Sequence, residues 1–285
     1  MSQRDASDLN RRLSDCATRW KLIVGPPLAG GFRSHIRECT TLGGGEAVLK
    51  LTVTVDEAEL EAKALDLWCE TGIVARLIEF DRENGALLLE RLWPATPLPP
   101  GDDQGAIEVV SDLMARLHAV GPAPGFPTLG DLYPYLAEHS VVDNAYERDL
   151  RREPSRGAGA MNLMDAAARA AEDLCAGEAA TVLLHGDLLD KNMLLDGDRY
   201  IAVDPIPRLG EPESEIGFFA CDHPPVQGIF NRAHLIAQRL GADPVRAMRW
   251  AAVWTVLLTA SAWRPDQDQL DSLVASSEFR DILRG

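Results

Sequence analysis

The sequence predicts an α+β chain of two lobes, an N-terminal antiparallel sheet with one helix followed by a mainly helical C-terminal lobe. Three observations predict this class. Short apolar segments separated by glycine-bearing turns fill the first 92 residues, four prolines lie between Trp93 and Gly101, and apolar residues at helical spacing dominate the rest of the chain. Because proline cannot sit inside a helix or a central strand, the proline segment marks the lobe boundary. We therefore divide the chain into domains 1–93 and 94–285.

The N-terminal lobe is predicted as a strand meander interrupted by one helix. A leading helix is expected around Asp5 to Ala17. Between the third and fourth strands, Asp56 to Glu70 alternates carboxylates with apolar residues at helical spacing, which predicts an amphipathic helix. Apolar and β-branched segments bounded by turn residues predict the strands Trp20–Val24, His35–Thr40, Ala47–Leu51, Val74–Phe80 and Ala86–Leu92.

The C-terminal lobe is predicted to be mainly helical. Helical patterns cover Ala106–Ala119 and recur around residues 161–175 and 244–262. Short strands are predicted to interrupt them only at Val182–Leu184, Met193–Leu195 and Tyr200–Val203. The chemistry-bearing residues cluster around these strands.

Composition limits the classes of partner. A chain of 285 residues with 46% hydrophobic content can bury a sizeable core. Its net charge of −16 argues against a nucleic-acid partner, because phosphate backbones require clustered Lys and Arg. The first 100 residues hold 12 basic against 15 acidic side chains, and the remainder holds 16 against 29. The acidic C-terminal lobe is consistent with two interpretations, the binding of a cationic small molecule or a solvated surface.

The chain is expected to be cytoplasmic and not associated with a membrane. The polar opening has no secretory-leader pattern, and the apolar stretch from Trp250 to Trp263 is shorter than the roughly 20 residues that span a bilayer. The five cysteines are scattered without a Cys-x-x-Cys pair, which predicts ordinary buried thiols. The sequence does not determine the oligomeric state.

One segment carries the strongest chemical pattern. His185-Gly186-Asp187 follows the apolar Leu183-Leu184, Asn192 lies five residues after Asp187, and Asp204 lies twelve residues after Asn192. This arrangement resembles a kinase catalytic loop followed by a metal-binding strand end. A polar turn whose side chains bond their own backbone is the structural alternative.

The spacing has a physical reason. Transfer of a phosphoryl group requires a carboxylate aimed at the acceptor hydroxyl, and hard oxygen ligands that hold Mg²⁺ against the phosphate oxygens. Asp187 is the candidate catalytic base. Asn192 and Asp204 are the candidate metal ligands, because the intervening short strands double back and bring them together.

The N-terminal lobe supplies candidates for nucleotide binding. Lys50 ends Ala47-Val48-Leu49-Lys50, which is similar to the Val-Ala-Ile-Lys strand of kinases, and Glu61 in the next helix is its expected partner. A solvent-reaching lysine at a strand edge is the alternative. Gly30, Gly31 and Ser34 occupy the place of a phosphate-covering loop. The segment containing Glu90 and Leu92 falls where the interlobe hinge of kinases offers backbone groups to adenine.

Taken in order, these parts resemble the aminoglycoside phosphotransferase family, and within it the streptomycin 6-kinase and hydroxyurea phosphotransferase branch. The resemblance spans nearly the whole chain and is specific mainly between Leu183 and Pro225. It implies a two-lobed protein-kinase-like fold, ATP and Mg²⁺ as cofactors, and an acceptor held by the C-terminal lobe. The chain departs from the branch pattern at Leu189 and Asp190, where two histidines are usual, and at Glu215, where aspartate is usual.

Four acidic residues are candidates for binding a cationic acceptor, and each is equally suited to a turn, a cap or a structural anchor. They are Asp190, Glu211, Glu213 and Asp222.

We expect an ATP-dependent O-phosphotransferase that acts on a hydroxyl group of a small molecule, in particular an aminoglycoside-type antibiotic such as a streptomycin-like compound. A kinase of a sugar or amino alcohol and a catalytically silent nucleotide-binding regulator are the alternatives. A protein kinase is disfavoured, because no Asp-Phe-Gly or Ala-Pro-Glu motif frames an activation segment.

Overall fold

A computed structural model describes residues 3–28, 34–99, 103–131, 154–176, 181–221, 226–260, 268, 272 and 275–285. The chain divides into two compact units. The first comprises Met1–Leu98 with Asp190–Pro207, and the second comprises Pro99–Leu189 with Arg208–Gly285. Both units mix helices with antiparallel strands, which confirms the α+β class.

The first unit is built on a five-stranded antiparallel sheet. Its strands are β1 Leu22–Pro27, β2 Ser34–Thr41, β3 Glu46–Thr52, β4 Leu77–Asp81 and β5 Ala86–Glu90. They are arranged in the order β1-β2-β3-β5-β4. Helix α2, Val55–Trp68, follows β3 and starts with a capping box, in which Thr54 and Glu57 each accept a hydrogen bond from the other's backbone N–H. This local signal fixes where the helix begins.

Helix α1, Gln3–Arg19, is tied to this sheet by one guanidinium. Arg12 donates hydrogen bonds to the backbone oxygens of Asn84, Thr52 and Gly85 at 2.7, 2.8 and 3.2 Å. Three carbonyls at the β4–β5 turn and the end of β3 thereby gain a charged donor. The predicted leading helix is therefore part of the first unit's fold.

A second, three-stranded sheet of order β6-β8-β9 completes the first unit. Its strands are β6 Pro94–Pro97, β8 Met193–Asp196 and β9 Arg199–Ala202. The proline-rich segment thus contains a strand that the sequence did not predict. Since β6 is an edge strand with an irregular register against β8, its prolines remove no bond from a central ladder.

The pairing of β6 with β8 also explains why the compact units differ from the predicted domains 1–93 and 94–285. Beyond β6, the Leu98 amide donates to the Met193 carbonyl at 3.0 Å. These bonds attach the β8–β9 hairpin to the first unit, although it lies late in the chain. The division falls after Leu98 rather than after Trp93, and Asp190–Pro207 returns to the first unit.

The second unit is mainly helical, with one small two-stranded sheet. Strands β7, Val182–Leu184, and β10, Arg208–Gly210, pair antiparallel. The prediction that only three short strands interrupt the helices is wrong, because β10 has a single apolar residue between an arginine and a glycine and so lacks the apolar and β-branched residues that indicate a strand. The helices are α3 Asp103–His118, α4 Pro154–Cys175, α5 Pro212–Ala220, α6 Val226–Leu240, α7 Pro244–Ala260 and α8 Ser277–Arg284.

The core of the second unit is organised around the contact of α5 with α7. Gly217 lies so close to α7 that an added Cβ would approach the Ala251 backbone nitrogen to 2.6 Å and the Trp250 Cβ to 2.7 Å. Only glycine permits this approach. Trp250 is fully buried at the contact, in keeping with a core position for this residue.

The five cysteines differ in their exposure to solvent. Cys16, Cys39 and Cys221 are buried, but Cys69 and Cys175 are exposed. The prediction of buried thiols is therefore wrong for Cys69 and Cys175, which lie at or beside helix ends.

None of the helices in the described ranges is both long enough and apolar enough to cross a bilayer.

Candidate active site

Lys50 forms a buried ion pair on the first unit. It lies near the end of β3 with 4% of its surface exposed, and its Nζ lies 2.5 Å from Oε2 of Glu61, which is 3% exposed on α2. Lys50 also donates a short hydrogen bond to Oδ1 of Asp204. The predicted pairing of Lys50 with Glu61 is confirmed, and the alternative of a solvent-reaching lysine is wrong.

The two carboxylates keep Lys50 charged. Burial alone would lower the pKa of Lys50, but the negative charges of Glu61 and Asp204 outweigh it and raise that pKa above the usual lysine value. Burial also raises the pKa of Glu61, against the opposing effect of Lys50. A positive charge is therefore fixed at a buried position, with two carboxylates around it.

The β8–β9 hairpin brings the two predicted metal ligands to one end of the second sheet. Asn192 directly precedes β8 and Asp204 follows β9, and the ladder places Met193 opposite Ala202. The Val203 amide then donates to the Asn192 carbonyl at 2.9 Å. The doubling back that the spacing predicted is thus present.

Asp204 has an unusual backbone. Its φ is +60°, a left-handed conformation that non-glycine residues seldom adopt. Such conformations concentrate at functional sites, where surrounding contacts hold them. The Asp204 side chain is 32% exposed, whereas Lys50 beside it is 5% exposed, so the carboxylate remains accessible.

This donor set fits Mg²⁺. A carboxylate and an amide supply hard oxygens, and Mg²⁺ typically takes only one or two protein carboxylates together with phosphate oxygens and water. No group of three or more His, Cys, Asp or Glu among the described residues could hold a metal ion. Oε1 of Glu61 and the hydroxyl of Ser34 are buried polar atoms with no hydrogen-bond partner within the described part of the chain.

Asp187 lies on the second unit, in the loop after β7. Gly186, with φ of +79°, makes the turn that leads into Asp187, and the Leu189 amide donates to the Asp187 carbonyl at 2.9 Å. The fully buried His185 accepts a hydrogen bond from the Asp187 amide on its Nδ1 at 3.4 Å. The loop conformation is therefore fixed on both sides of Asp187.

A buried carboxylate that sequence reasoning did not assign anchors this loop. Oε1 of Glu215, on α5, accepts a hydrogen bond from the Gly186 amide at 2.7 Å, and its Oε2 lies 2.8 Å from Nε2 of His118. Burial alone would raise the pKa of Glu215, but the hydrogen bond and charge of His118 and the hydrogen bond from the Gly186 amide lower it. Glu215 thus keeps a charge in the core that holds the residue before Asp187.

The side chains of Glu211 and Glu213 accept hydrogen bonds from other residues of the second unit. Both oxygens of the buried Glu211 are engaged, Oε2 by Arg246 at 2.6 and 3.0 Å and Oε1 by the indole N–H of Trp250. Burial raises the pKa of Glu211 despite these donors. Oε1 of Glu213 accepts from the Asp243 amide at 3.0 Å, just before α7. These contacts correspond to the structural-anchor alternative rather than to acceptor binding.

The remaining candidates are spread over several elements. Asp190 is buried in a 3-10 turn with Asn192, and Ser34 begins β2. The side chain of Glu90 accepts from the Arg76 amide at 2.8 Å, and Leu92 packs into a small apolar cluster with Ala75. Gly30, Gly31 and Asp222 lie outside the described residues. The binding roles of all these residues stay predictions.

Comparison with known proteins agrees with this geometry. Residues 19–267 match the family model of the aminoglycoside/hydroxyurea antibiotic resistance kinases. A hydroxyurea phosphotransferase of Kitasatospora aureofaciens is 34% identical over 256 residues, 84% of this chain and 68% of the relative. A streptomycin 6-kinase of Streptomyces glaucescens is 31% identical over 281 residues, 94% of this chain and 86% of the relative.

The fold has counterparts among solved structures. A choline/ethanolamine kinase family protein from Mesorhizobium loti superimposes with a TM-score of 0.61 at 16% identity, covering 96% of this chain and 99% of the other. This likeness confirms the predicted protein-kinase-like fold. The family match and the two relatives establish that the chain belongs to the aminoglycoside/hydroxyurea antibiotic resistance kinase family and is a phosphotransferase acting on a hydroxyl group of a small molecule.

Proposed function

We propose that the protein transfers the γ-phosphoryl group of ATP, with Mg²⁺, to a hydroxyl group of an aminoglycoside-type antibiotic such as a streptomycin-like compound. The observation that carries the proposal is the network of Lys50. This buried cation contacts both Glu61 and Asp204, so the proposed phosphate-binding charge lies beside one proposed metal ligand on the same unit. Phosphoryl transfer needs both, because catalysis rests on positioning and on offsetting negative charge.

Each residue has a distinct proposed role. Lys50, oriented by Glu61, binds the ATP phosphates. Asn192 and Asp204 hold Mg²⁺, which would offset charge on the transferred phosphoryl group. Asp187 orients the acceptor hydroxyl and accepts its proton as the hydroxyl oxygen attacks the γ-phosphorus in line. The bond from the γ-phosphorus to the oxygen that bridges it to the β-phosphate breaks, and ADP leaves. The Asp187 carbonyl accepts a hydrogen bond from the Leu189 amide, and the Asp187 amide donates one to His185. These bonds support the role, because a general base must be held in one place.

The acceptor class rests on two observations. The first is that a relative matching 94% of this chain is named a streptomycin 6-kinase. The second is that the chain is acidic mainly beyond residue 100, where 29 acidic side chains outnumber 16 basic ones. An acidic lobe attracts guanidino or amino sugars. Asp190 and Asp222 remain the proposed acceptor contacts, and we place the reaction in the cytoplasm.

The test is an acceptor panel. The purified protein is incubated with ATP, Mg²⁺ and aminoglycosides, hydroxyurea, sugars or amino alcohols, and ADP release and product mass are followed. We expect an aminoglycoside to gain one phosphate, and Asp187→Ala to abolish this gain, while Asp198→Ala, an exposed residue of the β8–β9 turn, retains it. Turnover of a sugar or amino alcohol alone would instead identify a metabolite kinase. Nucleotide binding without any transfer would identify a silent regulator.

A further inference from the structure

A cavity of about 660 Å³ lies on the second unit, between α4, α7 and α8. Residues of α4 and α8 at successive helical turns form two of its walls, and Arg249 enters from α7. Its floor is apolar, since Leu163, Ala170 and Leu283 are all buried. The volume falls in the range of small-molecule pockets, roughly 300–1,000 Å³.

The charge of this cavity is opposite to that of the chain. Four arginines and one aspartate line it, a net surplus of three positive charges in a protein whose net charge is −16. Charged walls above an apolar floor focus the local field and concentrate ions of the opposite sign. The charged lining residues are Arg169, Arg249, Arg280, Arg284 and Asp173.

The arginines differ in how far they are committed to the fold. Arg249 is half-buried, pairs with Asp173 at 3.1 Å and donates from Nε to the Leu283 carbonyl at 3.3 Å, which caps the end of α8. Arg284 is 72% exposed and lies 3.6 Å from Asp281, a weak surface pair. Arg169 is exposed and makes no ion pair within the part of the chain that the structure describes. Two guanidiniums on opposite walls are thus available to a ligand.

We propose that this cavity is a second binding site, separate from the residues of phosphoryl transfer, for a small polyanion of phosphate chemistry. Guanidinium groups bind phosphate through paired N–H donors, and arginines from separate helices can contact linked phosphates simultaneously. A ligand with at least two negative charges matches the net surplus of the lining.

Inorganic pyrophosphate, titrated calorimetrically without divalent cations, tests the proposal. The cavity variant is Arg169→Gln/Arg284→Gln, which changes two exposed side chains. The matched control is Arg116→Gln/Arg239→Gln, which removes the same charge from surface pairs on α3 and α6. Binding at the nucleotide site is common to all three proteins, so it contributes no difference between them.

We expect the wild type and the control to bind alike, and the cavity variant to bind at least about tenfold more weakly, because hydrogen bonds to charged groups contribute this much or more. Ala166→Trp, which fills the cavity without changing its charge, should weaken binding similarly. Superimposable titrations of the wild type and the cavity variant would overturn the proposal. Equal weakening in the control would overturn it too, because surface charge rather than the cavity would then hold the anion. Full binding by a folded Ala166→Trp would overturn it as well, because the anion would then bind outside the cavity.

Discussion

The Glu215 carboxylate accepts a hydrogen bond from the Gly186 amide at 2.7 Å, one residue before Asp187. Glu215 is 3% exposed and its second oxygen is engaged by His118, so it has little freedom to move. A charged acceptor at a backbone N–H forms a stronger bond than a neutral one. Glu215 is therefore a positioning residue for the candidate catalytic base.

Replacing Glu215 should impair turnover more than nucleotide binding. We expect Glu215→Ala to lower kcat by about 100-fold, since displacing a catalytic group by about 1 Å has an effect of this size, and to leave the KM for ATP nearly unchanged. Glu215→Asp, which keeps a carboxylate, should recover part of the rate. Steady-state kinetics with the acceptor found in the panel measure both constants. A rise in KM with an unchanged kcat would contradict the positioning role, and Glu108→Gln on the surface of α3 serves as the control.

Glu215 should also make stability depend on acid pH. Its pKa is lowered in the folded protein, so its contribution is fully present above the unfolded pKa of about 4.3 and is lost as the pH falls through the lower folded value. We expect the difference in free energy of unfolding between the wild type and Glu215→Gln to shrink from pH 6 towards pH 3. Urea unfolding at several pH values measures it. A difference that stays constant or grows on acidification would exclude this linkage.

The buried pair of Lys50 with Glu61 predicts an unequal response of two glutamates on α2. Glu61→Gln should lower the free energy of unfolding by about 2 kcal/mol, less than the ~3–5 kcal/mol of a wholly broken buried pair, because Asp204 still compensates Lys50. Glu59→Gln breaks only a surface pair with Arg82 and should change the unfolding midpoint little. Equal effects in urea denaturation would show that burial does not distinguish these pairs.

The magnesium requirement should depend on one end of the β8–β9 hairpin. Asp204→Asn removes the charge of one proposed metal ligand and should raise the Mg²⁺ concentration for half-maximal rate about tenfold or more at saturating ATP. Asp198→Asn, in the turn at the other end of the hairpin, makes the same chemical change and should leave this concentration unaltered. If both variants respond alike, the hairpin's charge rather than ligation by Asp204 sets the requirement.

The parts that could be predicted from the sequence are those fixed by local signals. Lys50 and Glu61 are eleven residues apart on a strand and the helix after it, and Asn192 and Asp204 are joined by one short hairpin, so chain order alone brings each pair together. Strand β7 has the bounds that the sequence predicts, because its apolar residues are bounded by turns.

The contacts that were missed join distant parts of the chain. His118 meets Glu215 across 97 residues, and Glu211 meets Trp250 across 39. Sequence periodicity does not indicate such pairs, because in the sequence each of these acids is indistinguishable from any carboxylate near the start of a helix. A carboxylate among the apolar residues of α5 was the one available signal, since an acid in such a helix needs a buried partner.

The return of the β8–β9 hairpin to the first unit has a consequence for synthesis on the ribosome. Strand β6 is made early, but its partner β8 begins only at Met193 of 285 residues. A nascent chain that ends before this point contains all the strands of the five-stranded sheet, with Lys50 and Glu61, but β6 has no strand to pair with. Folding of the first unit therefore finishes only after Pro207 has emerged, and a protease or chaperone that meets the shorter chain encounters a unit without its second sheet and without both proposed metal ligands.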